Sequence, residues 1–207
     1  MPELGAVLRS DDTVTQPIAN LAVLLSGSGR TLENLLSSID RGELRAKVAV
    51  VVGSRACLGI EKARAAGIST LVFEGGIGGD DLDRVCREYA IDWVILAGYL
   101  KLVPITDVVR GKVINIHPAL LPDFGGPGMH GMKVHRAVVE AATRGEICET
   151  GCTVHFADEE FDRGAIIEQR RCSVSGEDSA EDVAGRVFEL EQKCLPSAIQ
   201  SVIDDGV

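Results

Sequence analysis

The chain reads as an α/β domain: a mostly parallel central sheet, helices on both faces, and an antiparallel addition at the C-terminal end. Three observations predict this. Short apolar runs recur from Leu21 to His117, with segments of helical spacing between them. Those runs are apolar without alternation, as strands buried on both faces are. After Thr143 the texture changes to two strand-like runs joined by an acidic turn, which is too short for a parallel crossover.

The elements follow in order. Leu21 to Leu25 is a buried strand closed by the turn Ser26-Gly27-Ser28-Gly29. Leu32, Leu35, Leu36 and Ile39 lie at helical spacing, and Gly42 stops that helix. Val48 to Val52 is a second strand, Cys57 to Ala66 a helix closed by Gly67, and Thr70 to Phe73 a third strand. Asp80 to Ala90 is helical, Trp93 to Ala97 a fourth strand, and Val113 to His117 a fifth. Pro118 ends the fifth, because proline has no N–H for a ladder. Val134 to Thr143 is a helix; Thr153 to Phe156 and Ile166 to Val174 flank the turn Asp158 to Gly164; Ser179 to Ile203 is a closing helix. Strands alternating with helices imply right-handed crossovers and a Rossmann-like sheet. Residues 1–19 read as a flexible arm before a single domain over 20–207.

Composition narrows the function. A chain of 207 residues suits one domain, and 45% hydrophobic with 4% aromatic residues points to a Val/Ile/Leu/Ala core. The 21 basic against 31 acidic residues give a net charge of -10, which disfavours a nucleic-acid binder. No run approaches the ~18 apolar residues of a membrane span, and the acidic N-terminal segment does not read as a secretory signal. A cytoplasmic protein without nucleic-acid or membrane partners is expected. The six cysteines lack a disulfide-framework spacing and read as free thiols. Cys148 and Cys152 are four apart, but no second pair sits at zinc-finger spacing, so no metal is expected.

The chemistry concentrates at strand ends. Side chains alternate along a strand, so Asn115 and His117 face the same way at the carboxyl end of the fifth strand. That edge is where parallel α/β sheets bind ligands. A capped strand end with two satisfied polar residues is the competing reading. Ser26 to Thr31 joins a strand to a helix, where backbone N–H groups favour an anion. Leu32 replaces the third glycine of a dinucleotide fingerprint, and no Gly-Lys-Ser/Thr follows. A cradle for one phosphate monoester fits better, with Gly29, Arg30 and Thr31 as donors; an ordinary tight turn is the alternative. Leu96 to Val103 is apolar enough to wall a pocket for a flat ligand, or simply to pack the core. Gly125, Gly126, Gly128 and Gly131 make the next loop a candidate lid or a surface excursion, with His130 and His135 in or just beyond it. His155 shares a strand face with Thr153, a placement that is more often structural. Asp162 sits in an acid-rich turn and is not selectable by local pattern.

SGSGRTLENLL, VILAGYLKLV, INIHPALLP, TVHFADEEFDRGAII and FELEQKCLP stand in one order and spacing. In these segments the chain resembles the phosphoribosylglycinamide formyltransferases of the folate-dependent formyltransferase superfamily, over residues 20–205. The resemblance implies transfer of the formyl group of 10-formyltetrahydrofolate to the amine of 5'-phosphoribosylglycinamide, in de novo purine biosynthesis. By that likeness Asn115 donates to the developing oxyanion, and His117 stabilises it as an imidazolium. Asp162 favours that charge and manages a water that relays the proton, while His155 orients the group. The likeness also assigns Gly29, Arg30 and Thr31 to the phosphate and Glu191 to the ribonucleotide. Leu100, Lys101, Leu102, Val103 and Asn115 hold the folate, the folate-binding and catalytic half being C-terminal. A monomer or homodimer acting on small molecules, without metal, is implied.

Three departures stand out. Arg30-Thr31 replaces the Ser-Asn of many members, the loop over Gly125 to Gly131 is long, and Ile77 to Asp81 offers no arginine for the folate. Other readings are a formyltetrahydrofolate hydrolase, which normally carries an N-terminal regulatory domain, and methionyl-tRNA formyltransferase, which carries a C-terminal tRNA-binding domain. Aminosugar-nucleotide formyltransferases need a nucleotide-sized site. A non-catalytic phosphate-metabolite binding module has no use for Asn115, His117 and Asp162 together.

Overall fold

A computed structural model describes residues 18–206. Of the predicted arm, residues 1–17 lie outside the described residues, and Ala19 already opens the first strand. The elements run β1 (Ala19–Leu25), α1 (Arg30–Asp40), β2 (Ala46–Gly53), α2 (Leu58–Ala65), β3 (Ser69–Val72), α3 (Gly79–Glu88), β4 (Trp93–Leu96) and β5 (Val113–His117). Then come α4 (Met132–Thr143), β6 (Glu149–Phe156), β7 (Ile166–Ser173) and α5 (Ala180–Asp205). Each predicted strand and helix is present. The largest difference is β6, which begins at Glu149 rather than Thr153. Its first half includes Gly151, where an added Cβ would meet the Arg170 carbonyl at 1.8 Å. A glycine there lets β7 approach, but in sequence it reads as a break.

One sheet has the order β3-β2-β1-β4-β5-β6-β7. Strands β1 to β5 are parallel, and β6 and β7 pair antiparallel. The chain starts in the middle, runs outward through β2 and β3, then returns to build β4 and β5 on the other side of β1. With right-handed crossovers this reversal moves the connections to the opposite face. Accordingly, Leu21, Val23 and Leu25 pack with Leu32 and Leu35 of α1, Ile60 of α2, and Leu195 and Ile199 of α5. The alternate residues Ala22 and Leu24 pack on the other face with Leu82 and Val85 of α3. The carboxyl ends of β1 and β4, where the strand order reverses, open a crevice at the sheet edge.

The closing helix α5 starts with a capping box between Ser179 and Asp182. It runs 26 residues through Pro196 without ending. Proline removes the N–H that would meet the carbonyl four residues earlier. That carbonyl belongs to Gln192, and Asn34 Nδ2 of α1 donates to it at 2.9 Å. Among the described residues no helix is long and apolar enough to cross a membrane.

Candidate active site

Asn115 and His117 lie at the carboxyl end of β5, and antiparallel pairing sets His155 of β6 opposite Asn115. The turn after β6 brings in Asp162, whose φ of 58° lies in the left-handed region. An L-residue there is strained unless its side chain is held. Asp162 is held: its Oδ2 accepts from the Gly126 N–H at 2.9 Å and lies 3.5 Å from His117 Nδ1. Its Oδ1 lies 3.5 Å from His155 Nε2 and 3.4 Å from Asn115 Nδ2. Asn115, His117, Gly126 and His155 thus meet around one carboxylate.

The hydrogen bonds orient the rings. His117 Nε2 donates to the Phe124 carbonyl at 2.9 Å, which leaves Nδ1 facing Asp162. His155 Nδ1 donates to the Phe156 carbonyl at 2.8 Å. Its Nε2 then accepts from Asn115 Nδ2 at 3.0 Å, which aims the Asn115 amide. Burial pushes the His117 imidazole below the ordinary histidine value, while the Asp162 carboxylate and the Phe124 carbonyl pull it back. In this balance desolvation outweighs the carboxylate. Burial alone would raise Asp162, but His155 and His117, when protonated toward it, and the Gly126 N–H hold it below the usual carboxylate range.

The long glycine loop is tied into this group by the Phe124 carbonyl and the Gly126 N–H. A Cβ on Gly125 would meet Leu121 Cδ2 at 2.6 Å and Asp162 Cβ at 3.1 Å. The sequence pattern shows the glycines but not that the loop carries structural partners of His117 and Asp162. His135 of α4 is buried with Nδ1 unpartnered, and burial and His117 both lower it.

The turn after β1 lies two strands from β5, about 10 Å along the sheet edge. Gly29 has φ 74° and caps α1 with no side-chain hydrogen bond to the first turn. A Cβ on Gly29 would meet Gly59 Cα at 2.6 Å, so this glycine also serves close packing of the turn on α2. Arg30 lays its guanidinium over Phe188 of α5, Cζ 3.5 Å from the ring centroid. Arg55, unremarkable in sequence, donates from Nε to the Ser26 carbonyl at 2.8 Å. Glu191 is half-buried on α5; burial pushes its carboxyl up to about 7, with Arg30 opposing. Thr31 follows Arg30 in the first turn of α1.

Beside Asn115 opens a cleft lined by Leu96, Tyr99, Lys101, Leu102, Val103, His155, Phe161 and Asp162. Leu102 and Phe161 stay 49% and 40% exposed, an apolar surface beside the cleft. Of the five residues assigned to the folate, Lys101, Leu102, Val103 and Asn115 line this cleft. Leu100 does not; its N–H donates instead to Ser26 Oγ at 3.0 Å, which couples the wall to the turn. No group of three His, Cys, Asp or Glu side chains converges as a metal site among the described residues.

Residues 19–199 match the family model described as Formyl transferase. The chloroplastic phosphoribosylglycinamide formyltransferase of Arabidopsis thaliana is 37% identical over 198 residues, covering 90% of this chain and 66% of that protein. The phosphoribosylglycinamide formyltransferase of Haemophilus influenzae is 34% identical, covering 87% of this chain and 85% of its own. The crystal structure of glycinamide ribonucleotide transformylase 1 from Symbiobacterium toebii superposes with a TM-score of 0.78 at 32% identity, over 91% of this chain and 89% of that one. The chain thus spans most of the bacterial relatives and 66% of the plant one. With its fold, its Asn115–His117–Asp162 group and these relatives, the chain belongs to the formyl transferase family.

Proposed function

We propose that this chain transfers the formyl group of 10-formyltetrahydrofolate to the amine of 5'-phosphoribosylglycinamide, the formylation used in de novo purine biosynthesis. One observation carries the reading: Asn115, His117 and Asp162 converge between a cleft with Leu96, Leu102, Val103 and Phe161 in its walls and an anion-ready turn on the same sheet edge. The cleft walls suit the flat pterin of the co-substrate, and the turn suits a single phosphate.

Nucleophilic attack on a formyl carbon moves negative charge onto its oxygen. Asn115, aimed by His155, is the donor to that oxygen, its second amide hydrogen passing from the long 3.4 Å contact with Asp162 to the oxyanion. The amine's proton must then reach the nitrogen that leaves. His117 is neutral at rest and takes up charge only as the oxyanion forms, when Asp162 at 3.5 Å stabilises the imidazolium. Asp162 also holds the water that relays the proton, since its oxygens face both histidines and the amide. Gly29, Arg30 and Thr31 bind the phosphate and Glu191 the ribonucleotide. Lys101, Leu102 and Val103 hold the folate. The free thiols of all six cysteines agree with the cytoplasm as the compartment.

The test mixes purified protein with both substrates and follows folate deformylation. Turnover should require the ribonucleotide amine; equal turnover without it would mean hydrolysis instead. His117→Ala and Asp162→Asn should each lower kcat by ~100-fold or more with the fold intact. Near-parental rates in either would sink this assignment of roles.

A further inference from the structure

Two guanidinium groups flank the Ser26–Gly29 turn, each held by a partner that leaves most of its donors unused. Arg55 spends Nε on the Ser26 carbonyl. Arg30 lies flat on Phe188 and makes no hydrogen bond or ion pair among the described residues. Elsewhere in this acidic chain, arginines such as Arg84, Arg87, Arg144 and Arg186 hold carboxylates. Two guanidinium groups without an ion pair thus flank one turn of a protein whose net charge is -10. We propose that Arg30 and Arg55 form a two-arginine clamp on the substrate's phosphate, with Phe188 as the positioning residue that presets Arg30.

The proposal rests on reading Ser26 to Thr31 as the ribonucleotide's phosphate turn. A phosphate monoester carries nearly two negative charges at neutral pH and offers three acceptor oxygens. Guanidinium forks match that geometry with paired hydrogen bonds, and a free arginine loses much rotamer freedom on binding. Stacking on Phe188 removes part of that freedom beforehand, so less is lost when the anion arrives. The platform is itself fixed. The bond from Asn34 to the Gln192 carbonyl locks α1 against α5, one turn beyond Phe188. Phe188 and Glu191 are three apart on one helix face, so the stacked Arg30 also faces the carboxylate assigned to the ribonucleotide. One cation thus serves the phosphate and Glu191 together. Arg55 closes the other side from the end of β2, through the carbonyl of the turn itself.

The experiment compares the parent with Phe188→Leu, Phe188→Tyr and Arg55→Gln. Ribose 5-phosphate and inorganic phosphate are titrated calorimetrically, alongside steady-state kinetics with both substrates. Arg55→Gln should weaken ribose 5-phosphate binding by ~10-fold or more, as loss of a charge-assisted contact does. Phe188→Leu should weaken it by ~3–5-fold, while Phe188→Tyr, which keeps the ring, restores binding to within about twofold. Each loss should appear in the ribonucleotide KM, with kcat and the folate KM little changed, and should vanish for the dephosphorylated substrate.

Unaltered ribose 5-phosphate affinity in Arg55→Gln overturns the clamp. So does a fall in kcat at unchanged KM. If Phe188→Leu loses its cooperative melt, Phe188→Tyr and the exposed-site Arg55→Gln decide. A parent that binds ribose 5-phosphate but transfers no formyl group refutes the proposed reaction and leaves the clamp standing. A parent that binds neither phosphate compound refutes the clamp.

Discussion

Asn34 donates an amide hydrogen to the Gln192 carbonyl, the acceptor that Pro196 leaves without its helical partner. This bond explains how α5 carries a proline through its interior, and it sets α1 against α5 where Arg30 meets Phe188. Replacing Asn34 by alanine should cost about 1 kcal/mol, the net worth of one hydrogen bond. In a Pro196→Ala background the helix supplies its own N–H, and the same substitution should cost little. Denaturant melts of the four proteins form a double-mutant cycle. Equal costs in both backgrounds would show that Pro196 and Asn34 are not linked.

Gly125 touches the site without taking part in it. Its missing Cβ leaves room for Leu121 and for Asp162, whose backbone is already held at positive φ. Gly125→Ala should displace the carboxylate from His117 and lower kcat by ~10-fold or more, since small misplacements are costly in catalysis. Ribonucleotide KM should barely move, because the phosphate turn lies two strands away. A raised KM at parental kcat would contradict this placement.

Glu191 ionises late. Burial holds its carboxyl at about 7, far above the ordinary glutamate value near 4.3. The unfolded chain therefore loses that proton first, and stability falls as pH rises from about 4 through 7, then levels. Glu191→Gln removes this decline, so it should gain Tm over the parent at pH 8 relative to pH 4. Binding runs the other way. Ribonucleotide affinity should strengthen as the carboxylate forms on passing pH 7, and the glutamine variant should lack that step. A parent and variant with the same pH dependence in both measurements would refute the role.

Acid should destabilise the protein through its buried imidazoles. Burial lowers both His117 and His135. The unfolded chain takes up protons near the ordinary histidine value of about 6.5, while the folded rings resist. Their stability is fully present above that pH and is lost as pH falls through it. His135→Leu removes one such ring together with its unpartnered Nδ1, so the Tm difference between pH 7.5 and pH 5.5 should shrink. An unchanged difference would mean His135 does not titrate on unfolding.

Local pattern was enough for much of the fold and part of the site. Apolar runs ending in glycine turns located β1, β2 and β4, because burial on both faces leaves no polar alternation to hide them. Period-two geometry put Asn115 and His117 on one side of β5, and Pro118 marked where that strand stops. The start of β6 was not legible, since Glu149 and Gly151 look like loop residues until β7 lies beside them. Nor was the choice of Asp162 from its acidic turn, where neighbouring carboxylates are chemically alike. Only antiparallel pairing of β5 with β6 carries Asp162 to within 3.5 Å of His117. Phe188 and Arg55 were silent for the same reason: their meaning is a partner far along the chain. By itself, then, the sequence determined elements, faces and the kinds of side chain at each strand end, all of which depend on neighbours within a few residues. The tertiary structure decided which carboxylate serves which histidine and which arginine stands free, because burial and charge pairing depend on distances that no local spacing encodes.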